Sequence, residues 1–278
     1  MIHLLFAILS SAMVAIVMRL AQPRVDNPTA LLASNYIMCT LAALILSAPE
    51  LPAVSLEAVG FPAGLGAVNG LIYLAGFALM QYNTRQNGVV LSSIFMKLGV
   101  LISTLISVIW FRETPTALQM LGFVLAVAAI IIIHYRKGAS LNRGSWGLLL
   151  MLCMSGLGDG MSKVYEEYGN PGFQNLFLMF TFLSALILCL GWMVSKKEHL
   201  GWKELGFGVL LGVPNFLSSL FLLKSLATVP AVIAFPTFSV AVILVVAVAG
   251  VLFFRERLTR KQVLGGLLIC IALVLLNL

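Results

Sequence analysis

FRETPTALQMLGFVLAVAAIIII, from Phe111 to Ile133, lies against FRERLTRKQVLGGLLICIALVLL, from Phe254 to Leu276, at a fixed shift of 143 residues with nine identities in 23 positions. Two unrelated apolar helices would not align Arg-Glu, Thr, Gln and Gly by chance, so the stretch marks an internal duplication. The same shift superposes Asn27-Pro28 on Asn170-Pro171, which carries the register to the start of the second helix of each half. The most polar internal stretch, HYRKGASLNRGSW from His134 to Trp146, falls almost at the midpoint of the 278 residues. Residues 1–137 and 138–278 are therefore read as two five-helix repeats.

The composition fixes the solvent of both copies. Hydrophobic residues make up 61% of the chain and charged residues 10%, against about 25% charged in an ordinary soluble domain; the mean hydropathy is +1.06. The apolar residues gather into runs of about eighteen or more, long enough to cross a hydrocarbon core of about 30 Å as a helix. Runs bounded by Pro, Gly, Asn and charge predict ten transmembrane helices near residues 2–21, 29–47, 60–82, 88–110, 116–134, 146–165, 172–194, 203–226, 229–253 and 260–277. The first lacks the basic flank of a signal peptide and is counted as a span. The expected fold class is an all-α integral membrane protein of ten helices in two inverted five-helix repeats. An odd number of spans per copy sends the second copy into the bilayer from the opposite side. Inverted repeats suit alternating access, because two similar bundles rocking about a midplane site give inward and outward states of comparable energy. The chain is placed as a multi-pass protein of a cell membrane, inner or plasma.

The net charge of +7 and pI near 9.4 do not indicate a nucleic-acid partner, since the basic residues are scattered over short interhelical breaks. Thirteen of the 17 fall in the first, third, fifth, seventh and ninth breaks, including Arg136, Lys137, Lys196, Lys197, Arg260 and Lys261; the opposite set is Arg112, Lys163 and Lys224. By the positive-inside rule the larger set is cytoplasmic and both termini are outside. Cys39, Cys153, Cys189 and Cys270 lie in apolar runs without metal or redox spacing and are expected as small core residues. His3, His134 and His199 sit at span ends and form no metal-ligand set. No cofactor or metal is expected. With no GxxxxGK[ST] loop, energy for any transport must come from a gradient or a partner rather than from ATP hydrolysis within this chain.

Two charges stand apart from this pattern. Lys97 lies about ten residues from either end of the fourth predicted span, and an ammonium at that depth is costly unless it faces a bundle interior or wet cavity and pairs with an acid. Asp159 in the sixth span is read as the one plausible buried carboxylate, every other acid lying at or near a helix end. The two are expected to approach one another, holding an ion pair that substrate or a proton opens by competing for one partner. The plainer readings are a structural pair or snorkelling for Lys97, and a wet helix end at Gly158-Asp159-Gly160. Asn69 and Tyr73 share a face of the third span, and Asn215 follows Pro214 in the eighth. These three are expected to line one cavity, with Asn35 and Ser93 as weaker candidates of the same type, although buried amides and hydroxyls also fasten helices together.

Ten spans in two halves, each closing with FRE, then Gln-x-Leu-Gly and a final apolar helix, resemble the EamA-type transporters of the drug/metabolite transporter superfamily over essentially the whole chain. The resemblance implies spans one to four and six to nine around a central cavity, spans five and ten at the periphery, and both termini in the cytoplasm, against the charge count. The small four-helix relatives exchange protons for cationic drugs through a glutamate in the first span. The first span here has no acid, and only Asp159 in the equivalent span of the second half takes that place. The expected function is therefore a secondary transporter, not an enzyme, exporting a small polar, zwitterionic or charged metabolite, with a coupling proton as an optional partner. Proton-coupled efflux of cationic drugs is the alternative. An intramembrane enzyme lacks a convincing nucleophile and base, and a non-transporting receptor subunit would not need the duplicated scaffold. Monomer and homodimer both fit the sequence.

Overall fold

A computed structural model describes residues 1–21, 23–48, 56–87, 92, 95–134, 145–254 and 260–278. Among these the regular structure is entirely helical: α1 (Ile2–Ala21), α2 (Pro28–Ser47), α3 (Leu56–Asn87), α4 (Phe95–Ile109), α5 (Ala117–His134), α6 (Ser145–Tyr168), α7 (Gln174–Ser195), α8 (Trp202–Leu226), α9 (Ala231–Phe254) and α10 (Arg260–Leu276). A short 3-10 turn, Pro171–Phe173, leads into α7. Among the described residues six helices carry stretches long and apolar enough to cross a membrane, and α4, α5 and α10 contain shorter apolar stretches. Large apolar side chains face outward, with Trp110 72%, Ile45 70% and Leu252 69% exposed, as expected where lipid replaces water as the surrounding medium.

The duplicated Asn-Pro does the same local job in both copies. Asn27 precedes α2, its side chain accepting from Ala30 N at 3.5 Å with Pro28 in the first turn. Asn170 accepts from Gly172 N at 2.8 Å and Pro171 starts the following turn. An Asn oxygen satisfies a backbone donor that the helix start leaves open, and Pro gives up an N–H that has no partner there.

The helices form two compact units that do not follow the sequence halves. Unit one contains residues 1–74 and 161–227 and unit two residues 75–160 and 228–278. In unit one α2 packs against both α7 and α8, and α1 against α8. Glycines make these approaches possible. A Cβ on Gly208 would collide with Ser34, one on Gly212 would meet Met38 Cβ at 2.5 Å, and one on Gly66 would meet Phe177 O at 2.8 Å. Within a bilayer, association rests on such close van der Waals contact, because lipid tails are as apolar as the side chains. In unit two α5 and α10 are zipped together around Ala126, Ala129, Ile130, Ile269 and Ala272, with Val240 of α9 in the same cluster. Gly122, from the repeated Gln-x-Leu-Gly, lies against Leu275 and Leu276, where a Cβ would come within 3.0 Å.

Several expectations are corrected. α3 runs beyond the predicted 60–82 because its polar C-terminal residues end the apolar pattern without ending the helix. Lys163 and Lys224 belong to α6 and α8 rather than to interhelical breaks. Lys163 is buried because Glu166 and Glu167, three and four residues on, neutralise it at 2.7 and 3.0 Å. Cys39 and Cys189 are core residues, but Cys153 is only partly buried and Cys270 is exposed, since it faces outward from α10. The linker residues 135–144 and the second FRE at Arg255 and Glu256 lie outside the described residues.

Candidate functional site

The charged pair is assembled within unit two. α4 and the first part of α6 approach through glycines: a Cβ on Gly156 would strike Gly99 O and come within 2.5 Å of Ile102 Cβ, and one on Gly99 would meet Ser155 Cβ at 2.7 Å. Ser155 Oγ donates to Met96 O at 3.0 Å, fastening the two helices one residue from Lys97. The backbone beside Lys97 is not regular α-helix. Leu98 and Gly99 form a turn in which Leu101 N bonds Leu98 O at 2.9 Å and Ile102 N bonds Gly99 O at 2.9 Å, a 3-10 pattern that tightens the chain. Asp159 lies well inside α6, nine residues before its end at Tyr168, so the wet helix-end reading does not apply. Lys97 and Asp159 are both partly buried and act on each other electrostatically. Among the described residues no ion pair within 4.0 Å joins them.

The amide and aromatic candidates are all in unit one. Asn215 Nδ2 donates to Asn35 Oδ1 at 3.2 Å and contacts Cys39 Sγ at 3.7 Å, while Cys39 Sγ reaches Gly212 O at 3.3 Å. Asn35 and Cys39 share a face of α2, one turn apart, so the polar knot fixes α2 to α8 beside Pro214. Asn69 is separate from this knot, its Nδ2 donating to Thr181 Oγ1 at 3.4 Å. The Thr181 hydroxyl spends its proton on Phe177 O at 2.9 Å. It therefore accepts from Asn69 Nδ2, and Asn69 Oδ1 is a buried acceptor without a partner. Phe182 links the groups: its ring centroid is 6.1 Å from Tyr73, edge-on, 6.4 Å from Tyr36 and 6.2 Å from Phe216. Asn69 bonds Thr181 and Asn215 bonds Asn35, while Tyr73 and Phe216 both lie against the Phe182 ring. Ser93 lies outside the described residues. A cleft of about 280 Å³ between α3 and α7 is lined by Ala67, Phe180, Leu183, Ser184, Ile187 and Leu188, and it carries no charge.

Two carboxylates escaped the sequence reading. Glu204, 6% exposed, accepts from Asp26 N at 3.2 Å and docks the α1–α2 connection on the start of α8; Asp159 is therefore not the one buried acid. Glu204 occupies the third position of its helix, where an acid reaches back to a backbone donor, but the donor lies 178 residues away and has no local signature. Glu113, the Glu of the first FRE, accepts from Ala231 N at 3.0 Å and Val232 N at 2.7 Å, capping α9. The motif signalled its presence but not its partner.

Comparison with known proteins gives a consistent picture. A model described as the EamA-like transporter family matches residues 1–135 and again residues 143–278. An uncharacterized protein of Haemophilus influenzae is 25% identical over 275 residues, covering 95% of this chain and 93% of its own length. One crystal structure superposes with a TM-score of 0.80 over 99% of this chain and 94% of its own; at 12% identity it shows likeness of fold.

Proposed function

Because the chain belongs to the EamA-like transporter family, and is therefore a multi-pass membrane transporter of the drug/metabolite superfamily, we propose that it exports a small zwitterionic or charged metabolite by alternating access, recognising it through Lys97 and Asp159. The observation supporting this site is the pair itself: opposite charges within apolar helices whose backbones meet at Gly99 and Gly156, acting on each other electrostatically without an ion pair within 4.0 Å. A directly bonded pair would be self-sufficient. Without a direct bond each charge is incompletely satisfied, and a substrate bearing the complementary groups lowers that cost. The ten spans, the inverted repeats at 1–137 and 138–278, the cell-membrane location and an optional coupling proton belong to the same reading.

Reconstituted protein tested for flux of amino acids, quaternary amines and phosphorylated metabolites identifies the substrate. Lys97→Met is expected to reduce that flux at least tenfold with little change in thermal stability, since the methionine keeps the apolar stem and removes only the charge. Full activity of Lys97→Met would remove Lys97 from the site. Flux of quaternary amines alone, lost in Asp159→Asn and kept in Lys97→Met, would instead favour cationic efflux.

A further inference from the structure

The connection between α7 and α8 reads KKEHLGWKE from Lys196 to Glu204, three lysines against two glutamates, for a net +1 with His199 neutral. The fold sorts these charges. Lys196, Lys197 and Lys203 are exposed, while Glu204 is buried and one carboxylate oxygen of Glu198, Oε2, is buried without a partner. Among the described residues no carboxylate pairs with any of the three lysines. The surface is thus more basic than its sequence: Glu204 and one oxygen of Glu198 turn in, and the three lysines turn out.

The lysines are also held in place. α7 ends with Lys197 N bonded to Val194 O at 3.0 Å and Glu198 N to Met193 O at 3.0 Å, the paired bonds of a helix end that needs a left-handed residue. That residue is Lys197, at φ 55°, where glycine would be easier. Lys196 lies with its ammonium 4.2 Å from the centre of the Trp192 ring, a contact that steadies the cation while leaving it accessible. Trp202 is 88% exposed at the start of α8, and Val194 is exposed beside the lysines. Tryptophans bracketing lysines at the ends of apolar helices are placed at the depth of lipid headgroups, where the ring tolerates both phases.

We propose that this corner, Trp192, Lys196, Lys197, Trp202 and Lys203, binds the headgroup of an anionic phospholipid of the surrounding bilayer. The exposed Val194 supplies the contact to its acyl chain that a soluble anion would not use. The adjoining α1–α2 connection contributes Arg24 and Asp26, both exposed and of opposite sign, and leaves the balance unchanged.

Purified protein in detergent, titrated with phosphatidylglycerol or phosphatidylcholine and followed by native mass spectrometry and thermal unfolding, tests this directly. The wild type is expected to retain phosphatidylglycerol over phosphatidylcholine by roughly tenfold at low salt, with the preference falling as salt rises. In the Lys196→Gln/Lys197→Gln/Lys203→Gln variant the preference falls to near parity. Retained preference in the variant, no preference in the wild type, or an equal thermal shift with inorganic phosphate would each overturn the proposal. Should the variant fail to fold, brominated lipids decide on the wild type: stronger tryptophan quenching by the brominated phosphatidylglycerol supports the site, and equal quenching by both lipids refutes it.

Discussion

The first peptide groups of α9, at Ala231 and Val232, are buried, and Pro230 before them offers no side-chain acceptor. Buried N–H groups at a helix start must find partners, and Glu113 supplies both of its oxygens from 118 and 119 residues away. The carboxylate also sits at the positive end of the helix dipole. Glu113→Ala leaves two buried donors open and is expected to destabilise the protein by about 2 kcal/mol, seen as a lower thermal midpoint in detergent; an unchanged midpoint would show that the cap is dispensable. Arg112, immediately before it, is left-handed at φ 53°. Arg112 and Lys197 are the non-glycine residues of positive φ among those described, and both follow helix C-termini, where a cation is favoured. FRE was legible as a repeated word. Its use as a turn and a remote cap was not, because the donors it serves lie in another part of the chain.

At the scale of elements, glycine placement decides which helices touch. Gly99 on α4 and Gly156 on α6 let the two backbones meet, and Lys97 and Asp159 ride on that contact two and three residues away. Gly156→Leu is expected to push the helices apart, costing about 1–3 kcal/mol in stability and reducing flux by more than that loss explains, since the two charges move apart. Gly76→Ala is the matched control, because the Cβ added there meets nothing closer than Met154 Cβ at 3.8 Å; flux equal to wild type in both variants would detach the α4–α6 contact from function. The sequence offered Gly158-Asp159-Gly160 only as a wet helix end and gave no sign that Gly156 packs against Gly99. Which glycine meets which backbone is a property of the packed pair, and 24 glycines offer too many combinations for spacing alone to choose.

For the whole molecule, each compact unit takes helices from both repeats, residues 1–74 with 161–227 and residues 75–160 with 228–278. The candidate amides Asn35, Asn69 and Asn215 fall in one unit and the charges Lys97 and Asp159 in the other, a division invisible when the chain is read half by half. Without a nucleotide-binding loop of its own, the chain is expected to draw on a gradient or on a partner. Substrate flux into proteoliposomes is expected to stop when the ion gradient is collapsed by ionophores and to be indifferent to ATP on either side. ATP-dependent flux by the purified chain would contradict that reading.

The solvent, the helical class, the duplication and the family were all legible along the chain, because these rest on composition, on run length against bilayer thickness and on a repeated motif, all of which are local or additive. It also singled out Lys97 and Asp159, since a charge inside an apolar run is conspicuous without any coordinates. Tertiary structure alone decided that the helices of Lys97 and Asp159 meet at Gly99 and Gly156, that Asn35 rather than Asn69 is the partner of Asn215, that Glu204 is buried, and that the lysines after α7 are exposed without a carboxylate partner among the described residues. Each of these is set by which side chains meet across tens to hundreds of residues, and in a bilayer that choice is made by close packing of small residues rather than by any pattern of hydrophobicity.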